Sequence, residues 1–290
     1  MEENLGIIHA SGDDSARSVG QRNILQMAEW LAKFGYTTPE ILCQVIGVKG
    51  SSQKRIVKRL VEGHWARLVP CPSAVDGYCE KTRVKDKEGK VKTVTSAPML
   101  LVPTGKSRTL FSIKYGVEAA RAMGTSSAER IFHDLSVQRI AIDVMERANA
   151  EWIEYVDVWP GVLHRIAFPT QVASHESPPA KYYDAVVIFS GGSRKYRLGL
   201  EVELSRKDKN YGLHDAFEKI GSDVKFKHID AVHYYCATQE MAALYDRDLK
   251  AWPGLFVGFN EETEQPRYQN NLLDRVSFFG KPEIFMMRFH

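Results

Sequence analysis

"KYYDAVVIFSGGSRKYRLGLEVELSRK", residues 181–207, reads as two apolar strands joined by a glycine turn, with Asp184, Glu201 and Glu203 set inside them. Centring the turn on Gly191 and Gly192 puts residue 184 opposite 199 and residue 201 opposite 182. Side chains alternate along a strand and opposite residues share a side. The three carboxylates therefore fall on one face of the hairpin, with Asp184 diagonal to Glu201. Acids so close repel, and partial burial raises their pKa values unless a cation stands among them. Removing one acid is then expected to leave stability level or raise it. Hard oxygens gathered at one point suit Mg²⁺ or Mn²⁺, and such an ion activates water and stabilises charge on a phosphate in transfer. A solvent-facing pair of strands, its acids balanced by Arg194, Lys195, Arg197, Arg206 and Lys207, accounts for the same pattern. Spacing alone leaves these two readings close to even.

The residues around the hairpin set its context. From Ser126, "SSAERIFHDLSVQRIAIDVMERANA" carries Ile131, Leu135, Ile142 and Met145 at helical spacing, with Phe132 and Ile140 flanking. "EWIEYVDVWP" and the polar loop "ASHESPPA" lead into the hairpin. A helix near "YGLHDAFEKIGSDVK", a strand "IDAVHYYCA", a helix "TQEMAALYDRDLKAW" and a strand "LFVGF" follow, with "RVSFFG" and "EIFMMRFH" as edge strands. Helices alternating with strands predict an α/β domain over residues 121–290, its helices packed on a mixed central sheet.

Residues 21–120 read differently. "QRNILQMAEWLAKF" is an amphipathic helix stopped by Gly35. "TTPEILCQVIG" is a short one, with Thr38 as N-cap and Pro39 at its first position. Ser51 or Ser52 then caps "SSQKRIVKRLVEG". On that third helix Lys54, Arg55, Lys58 and Arg59 occupy one half of the circumference, and Ile56, Val57, Leu60 and Val61 the other. A helix, a short helix, a tight turn and a basic helix is the order of a helix-turn-helix unit, whose last helix enters the DNA major groove. "WARLVP" is a short strand, and "EKTRVKDKEGKVKTVTS" a basic hairpin with its tip at residues 86–89. Lys85, Lys87, Lys90 and Lys92 on this wing are expected to lie along phosphates, which orients a protein without reading sequence. "APMLLVPTGKSRTLF" supplies a further strand and a turn.

Charge points the same way. The 290-residue chain carries only +3, yet residues 49–92 hold 12 Lys and Arg against 5 Asp and Glu. A local basic block suits a polyanion, although charge runs are commonly no more than solvated surface. No apolar run approaches the roughly 18 residues of a membrane span. Residues 1–20 are acidic and rich in small residues, without the basic and apolar regions of a signal peptide, and are expected to be a disordered leader. Cys43, Cys71, Cys79 and Cys236 show no zinc-ligand spacing, and Cys43 and Cys236 sit in apolar contexts. Together these traits fit a reducing cytoplasm.

"YYDAVVIF…YRLGLEVELSRK" resembles the hairpin of PD-(D/E)xK nucleases, with Asp184 matching the first acid and Glu201 the second. Glu203 stands at the lysine position and departs from the commonest pattern, though E-x-E also occurs there among restriction endonucleases. The wider layout is a winged helix, "HDL" (His133, Asp134, Leu135) in a helix, a strand aspartate and "EVELS". Over residues 20–225 it is similar to the replication-relaxation family, which includes the MobC-type relaxases of mobilisable elements. Each motif is short; their order carries the resemblance. It implies a winged-helix domain followed by a restriction-endonuclease-like α/β domain, recognition of a transfer origin, and metal-dependent nicking of one strand. Asp184, Glu201 and Glu203 carry over as site residues and metal ligands, and His133 and Asp134 as further site residues. Lys207 keeps the strand parity of the two glutamates and can stand in for the absent lysine; a surface role fits it equally. Gln138 lies one helical turn beyond Asp134.

Other chemistries fit less well. "HIDAVHYY" offers His228, His233, Tyr234 and Tyr235 but lacks the paired histidines of a histidine-and-tyrosine relaxase. "VPTGKSRT" lacks the first glycine of a phosphate loop. Tyr182 and Tyr183 adjoin Asp184 and are more simply packing residues than nucleophiles. The expectation is thus a cytoplasmic nicking endonuclease acting in conjugation and plasmid mobilisation. It takes Mg²⁺ or Mn²⁺ and double-stranded, locally melted DNA at an origin site, with other mobilisation proteins as partners and no membrane insertion. The alternatives are a non-catalytic plasmid replication or mobilisation factor and a type II-like restriction endonuclease.

Overall fold

The structure is a computed structural model that describes residues 16–71, 80–85, 90–96, 99–120, 128–150, 155–168, 181–191, 194–205, 212–260, 263 and 265–281. The chain opens with α1 (Ala16–Phe34), α2 (Pro39–Val45) and α3 (Ser52–Glu62). Residues 16–20, expected in the leader, already belong to α1, because one glycine among helix-compatible residues does not stop a helix anchored by a long apolar stripe. Ile24, Met27, Ala28 and Leu31 form that stripe and are buried. Gly35, at φ 80°, ends the helix. Thr38 caps α2 by accepting from the Ile41 amide at 3.2 Å. Ser51 precedes α3 but makes no side-chain cap.

β1 (Ala66–Pro70) pairs antiparallel with β4 (Met99–Pro103), and β2 (Glu80–Lys85) with β3 (Val91–Ser96). After β4 the chain does not turn but enters α4 (Gly105–Tyr115). The "TGKS" stretch serves that junction. The Thr104 hydroxyl donates to His64 O at 2.6 Å, Lys106 Nζ to Gly63 O at 3.0 Å, and the Ser107 hydroxyl to Trp65 O.

α5 (Ala128–Ala150) is buried on more than its expected stripe: Val137, Ala141 and Val144 join Ile131, Leu135, Ile140 and Ile142 in the core. It touches α2 on one side. On the other it lies over β5 (Tyr155–Pro160), β6 (Ala185–Gly191) and β7 (Arg194–Glu203). One buried cluster runs from Met27 and Leu31 of α1 through Leu135 of α5 to Leu198 and Leu200 of β7. α6 (Gly161–Ala167) follows β5 directly, a helix too short for its periodicity to be read. Then come α7 (His214–Lys225), β8 (Ala231–Cys236), α8 (Gln239–Ala251), β9 (Leu255–Phe259), β10 (Pro266–Gln269) and β11 (Val276–Gly280).

The central sheet has the order β11-β8-β7-β6-β5. β5, β6 and β7 are antiparallel neighbours, while β8 lies parallel to β7 and to β11. The fold is therefore mixed α/β, with eight helices and a mixed five-stranded sheet among the described residues. β9 pairs only with β10, in a ribbon of its own, and "EIFMMRFH" lies outside the described residues. None of the described helices is long and apolar enough to cross a membrane.

The hairpin register differs from the expected one. Gly191 faces Arg194 and Ala185 faces Leu200, so Gly191 belongs to the strand and the pairing is offset by two residues from the expected one. An offset of two residues preserves side-chain parity, so Glu201 and Glu203 keep a common face.

Candidate functional site

The basic helix is built as its sequence demands. Ile56 and Leu60 enter the core, Val57 and Val61 are half-buried, and Lys54, Arg55, Lys58 and Arg59 are all exposed. Lys58 and Glu62 form a solvent-exposed i,i+4 pair at 3.6 Å, which stabilises little and leaves the cation available. On the wing, Lys85 of β2 pairs with Val91 and Lys92 of β3 with Val84, Lys90 is exposed, and Lys87 lies outside the described residues.

The acids are arranged otherwise than expected. α5 covers the sheet face that bears Ala185, Val187, Leu198, Leu200 and Val202. Glu201 and Glu203 alternate with these residues and so point to the opposite face, where both are buried. Asp184 lies one residue before β6, its own amide still bonding the Leu200 carbonyl at 3.1 Å. Where β6 stops, the Val202 peptide faces no strand on that side, and side chains take its place. Asp184 Oδ2 accepts from the Val202 amide at 2.8 Å, and His133 Nε2 stands 3.2 Å from the Val202 carbonyl. Asp184 thus meets β7 at its edge, beside His133 of α5, while Glu201 and Glu203 lie on the face away from α5.

Each side brings its own cation. His133 Nε2 is 3.4 Å from Asp184 Oδ2, and His133 Nδ1 is 3.2 Å from Asp134 Oδ1. Both ring nitrogens face only acceptors, so both carry protons and the ring is an imidazolium. Burial opposes that charge, but the hydrogen bonds and charges of Asp134 and Asp184 outweigh it and push the His133 pKa up to about 10. Asp184 answers in kind. Burial raises its pKa, yet His133, the Val202 amide and the charge of Lys181 hold it below the usual carboxylate range. Asp134 is further held by Arg130 at 3.0 Å and by the Tyr36 hydroxyl at 2.6 Å.

On the other side, Lys181 Nζ lies 2.8 Å from Glu201 Oε2. Lys181 is a cation the sequence did not reveal: hairpin register brings its segment near Glu201, 20 residues away, but does not say which side chain pairs with it. Close packing fixes its segment. A Cβ on Gly161 would stand 1.9 Å from the Tyr183 carbonyl oxygen, and one on Gly199 would stand 2.7 Å from the Tyr183 ring. The Tyr183 hydroxyl donates to Asp223 at 3.0 Å, and Arg165 pairs with the same carboxylate at 2.9 Å.

Other residues weighed in the sequence have duties of their own or lie outside the described part. Gln138 is fully buried, accepts from Trp30 Nε1 at 2.9 Å and donates to the Tyr36 carbonyl at 2.9 Å; it joins α1 to α5. Tyr234 and Tyr235 are core residues of β8. Lys207 and Arg206 lie outside the described residues. The charge of Lys181, which is bonded to Glu201, also reaches Asp184. Among the described residues no group of three or more His, Cys, Asp or Glu is placed to hold an ion.

No protein-family model matches the chain, and comparison with curated proteins and with solved structures finds no match either.

Proposed function

We propose that this chain is a DNA-binding nicking endonuclease of a mobile genetic element, of the replication-relaxation type. Its first helices and basic hairpin act as a winged helix on duplex DNA at a transfer origin. Its sheet, with the restriction-endonuclease-like layout, brings Asp184 and Glu201 to a locally melted strand. The observation that carries this reading is the division of α3: Ile56 and Leu60 are locked in the core while four cations on the outer half-turns meet solvent. A helix so divided can meet phosphates without disturbing its own packing.

Mg²⁺ or Mn²⁺ is the cofactor of this reading, with Asp184 and Glu201 as its carboxylates and Glu203 beside them. When bound, such an ion supplies an activated water and charge stabilisation at phosphorus. The residues themselves orient the strand: Lys181, bonded to Glu201, offers an ammonium at that acid, and His133 keeps Asp184 ionised. The setting of the reaction is the bacterial cytoplasm, with other mobilisation proteins as partners.

A second reading, a non-catalytic replication or mobilisation factor, draws on the same geometry. Asp184 is already paired with His133 and Glu201 with Lys181, as in a fold that has kept its acids for structure. Supercoiled plasmids with and without the cognate origin, incubated with Mg²⁺, Mn²⁺ or EDTA, separate the possibilities. Open circles formed only with origin and metal support the nickase. Linear product indicates a restriction-type enzyme, and binding without any change of form indicates the non-catalytic factor.

A further inference from the structure

We infer that Tyr182, backed by Arg165, is a stacking platform for one unpaired base of the DNA strand held at the acids. This rests on the proposed function and sharpens it, because it names the side chain that holds a melted strand in place. Tyr182 is 61% exposed, whereas Tyr183 beside it is buried and Lys181 nearly so. A single exposed aromatic ring is ordinary on a protein surface. This one differs in being backed and pinned.

The Arg165 guanidinium lies 5.6 Å from the Tyr182 ring centroid and closes one face of it. Arg165 is itself immobilised. Its Nε and Nη2 donate to the Lys181 carbonyl at 3.2 and 3.1 Å, and Nη2 also reaches the two Asp223 oxygens at 2.9 and 3.1 Å. The backbone of Tyr182 is fixed from both sides, by the Lys181–Glu201 pair before it and by the Tyr183–Asp223 hydrogen bond after it. The ring therefore presents its other face to solvent with little ordering left to lose on binding.

Its place and charge define the ligand. Tyr182 is two residues before Asp184 and next to the lysine that bonds Glu201, so a strand whose phosphate meets these acids passes over it. Arg165 and Lys181 are each already paired with a carboxylate, which leaves the π-face, not a free cation, as the recognising element. Sequence-tolerant stacking on an aromatic side chain is how proteins hold single-stranded nucleic acid. A base inside a duplex is stacked on both faces and cannot occupy such a platform.

The test is made in EDTA, so that no cleavage enters. A short fluorescein-labelled single strand and its duplex are titrated with wild type, Tyr182→Ala, Tyr182→Phe and Tyr182→Trp. Tyr182→Ala is expected to weaken single-strand binding by about tenfold or more and to leave duplex binding unchanged. Tyr182→Phe keeps the wild-type affinity, and Tyr182→Trp shows emission quenched by the single strand alone. Equal single-strand affinity of wild type and Tyr182→Ala, no single-strand binding by wild type, or quenching by neither DNA each overturns the inference. An absence of nicking under any metal overturns the proposed function without touching this result.

Discussion

Tyr36, at the junction of α1 and α2, donates a 2.6 Å hydrogen bond to Asp134 of α5, 98 residues away. Asp134 in turn holds His133, and His133 holds Asp184. The α1–α2 junction and the acid that precedes β6 are thereby joined by three consecutive polar contacts. Tyr36→Phe is expected to cost about 1–2 kcal/mol, since a hydrogen bond to a charged group is removed while Arg130 and His133 still serve Asp134. A double-mutant cycle of Tyr36→Phe with Asp134→Asn, read by urea denaturation, should show coupling of about 1 kcal/mol. Additive single effects would mean the contact is geometric only.

His133 makes stability depend on alkaline pH. Its pKa rises from an ordinary 6.5 to about 10 on folding, so the folded protein holds the proton more tightly. That contribution is fully present below about 6.5 and is lost as pH rises through about 10. Each unit is worth about 1.4 kcal/mol, so the loss amounts to a few kcal/mol at most. The difference in unfolding free energy between wild type and His133→Gln should shrink steadily between pH 7 and pH 10. A constant difference would contradict the doubly hydrogen-bonded imidazolium.

The outer face of α3 is exposed and separable from its packed face. Lys58→Ala with Arg59→Ala should weaken DNA binding and lower the log–log salt slope by about 0.9 for each phosphate that is no longer neutralised. Thermal stability should stay within about 0.5 kcal/mol of wild type. Unchanged affinity and slope would move the DNA-binding face elsewhere.

Removing an acid should not relieve repulsion, as one-sided clustering would have it. Glu201→Ala strands the ammonium of Lys181 in a nearly buried site, and breaking such a pair costs about 3–5 kcal/mol. The double substitution Glu201→Leu with Lys181→Met should recover most of that. Asp184→Ala should likewise destabilise, by leaving Asp134 as the one carboxylate described beside the charge of His133. Both single variants should lose nicking while retaining DNA binding. Calorimetric titration with Mn²⁺ should give heat with wild type and none with Asp184→Ala. Equal heats, with stability unchanged, would place the ion elsewhere.

What the sequence by itself determined is local. The Thr38-Pro39 helix start, the two-sided α3, the strands flanking the glycine turn and the parity of Glu201 with Glu203 follow from caps, periodicity and pleat, each decided within about ten residues. The two-residue offset of the hairpin left that parity intact because a pleat repeats every second residue. Only the tertiary structure decided what the acids face. β6 ends at Ala185, and the Val202 peptide beyond it draws in the side chains of both Asp184 and His133. Tyr36 acquires its carboxylate partner across 98 residues, through a chain path that no spacing records, and the hairpin register that brings Lys181 near Glu201 does not fix their pairing. Lys33 shows the same limit: only 3% exposed, it bonds Asp157 at 2.6 Å and lies over the Trp159 ring, and in sequence it reads as one more surface lysine on α1. Charge pairing in a core is set by which elements pack together, and packing is a property of the whole chain.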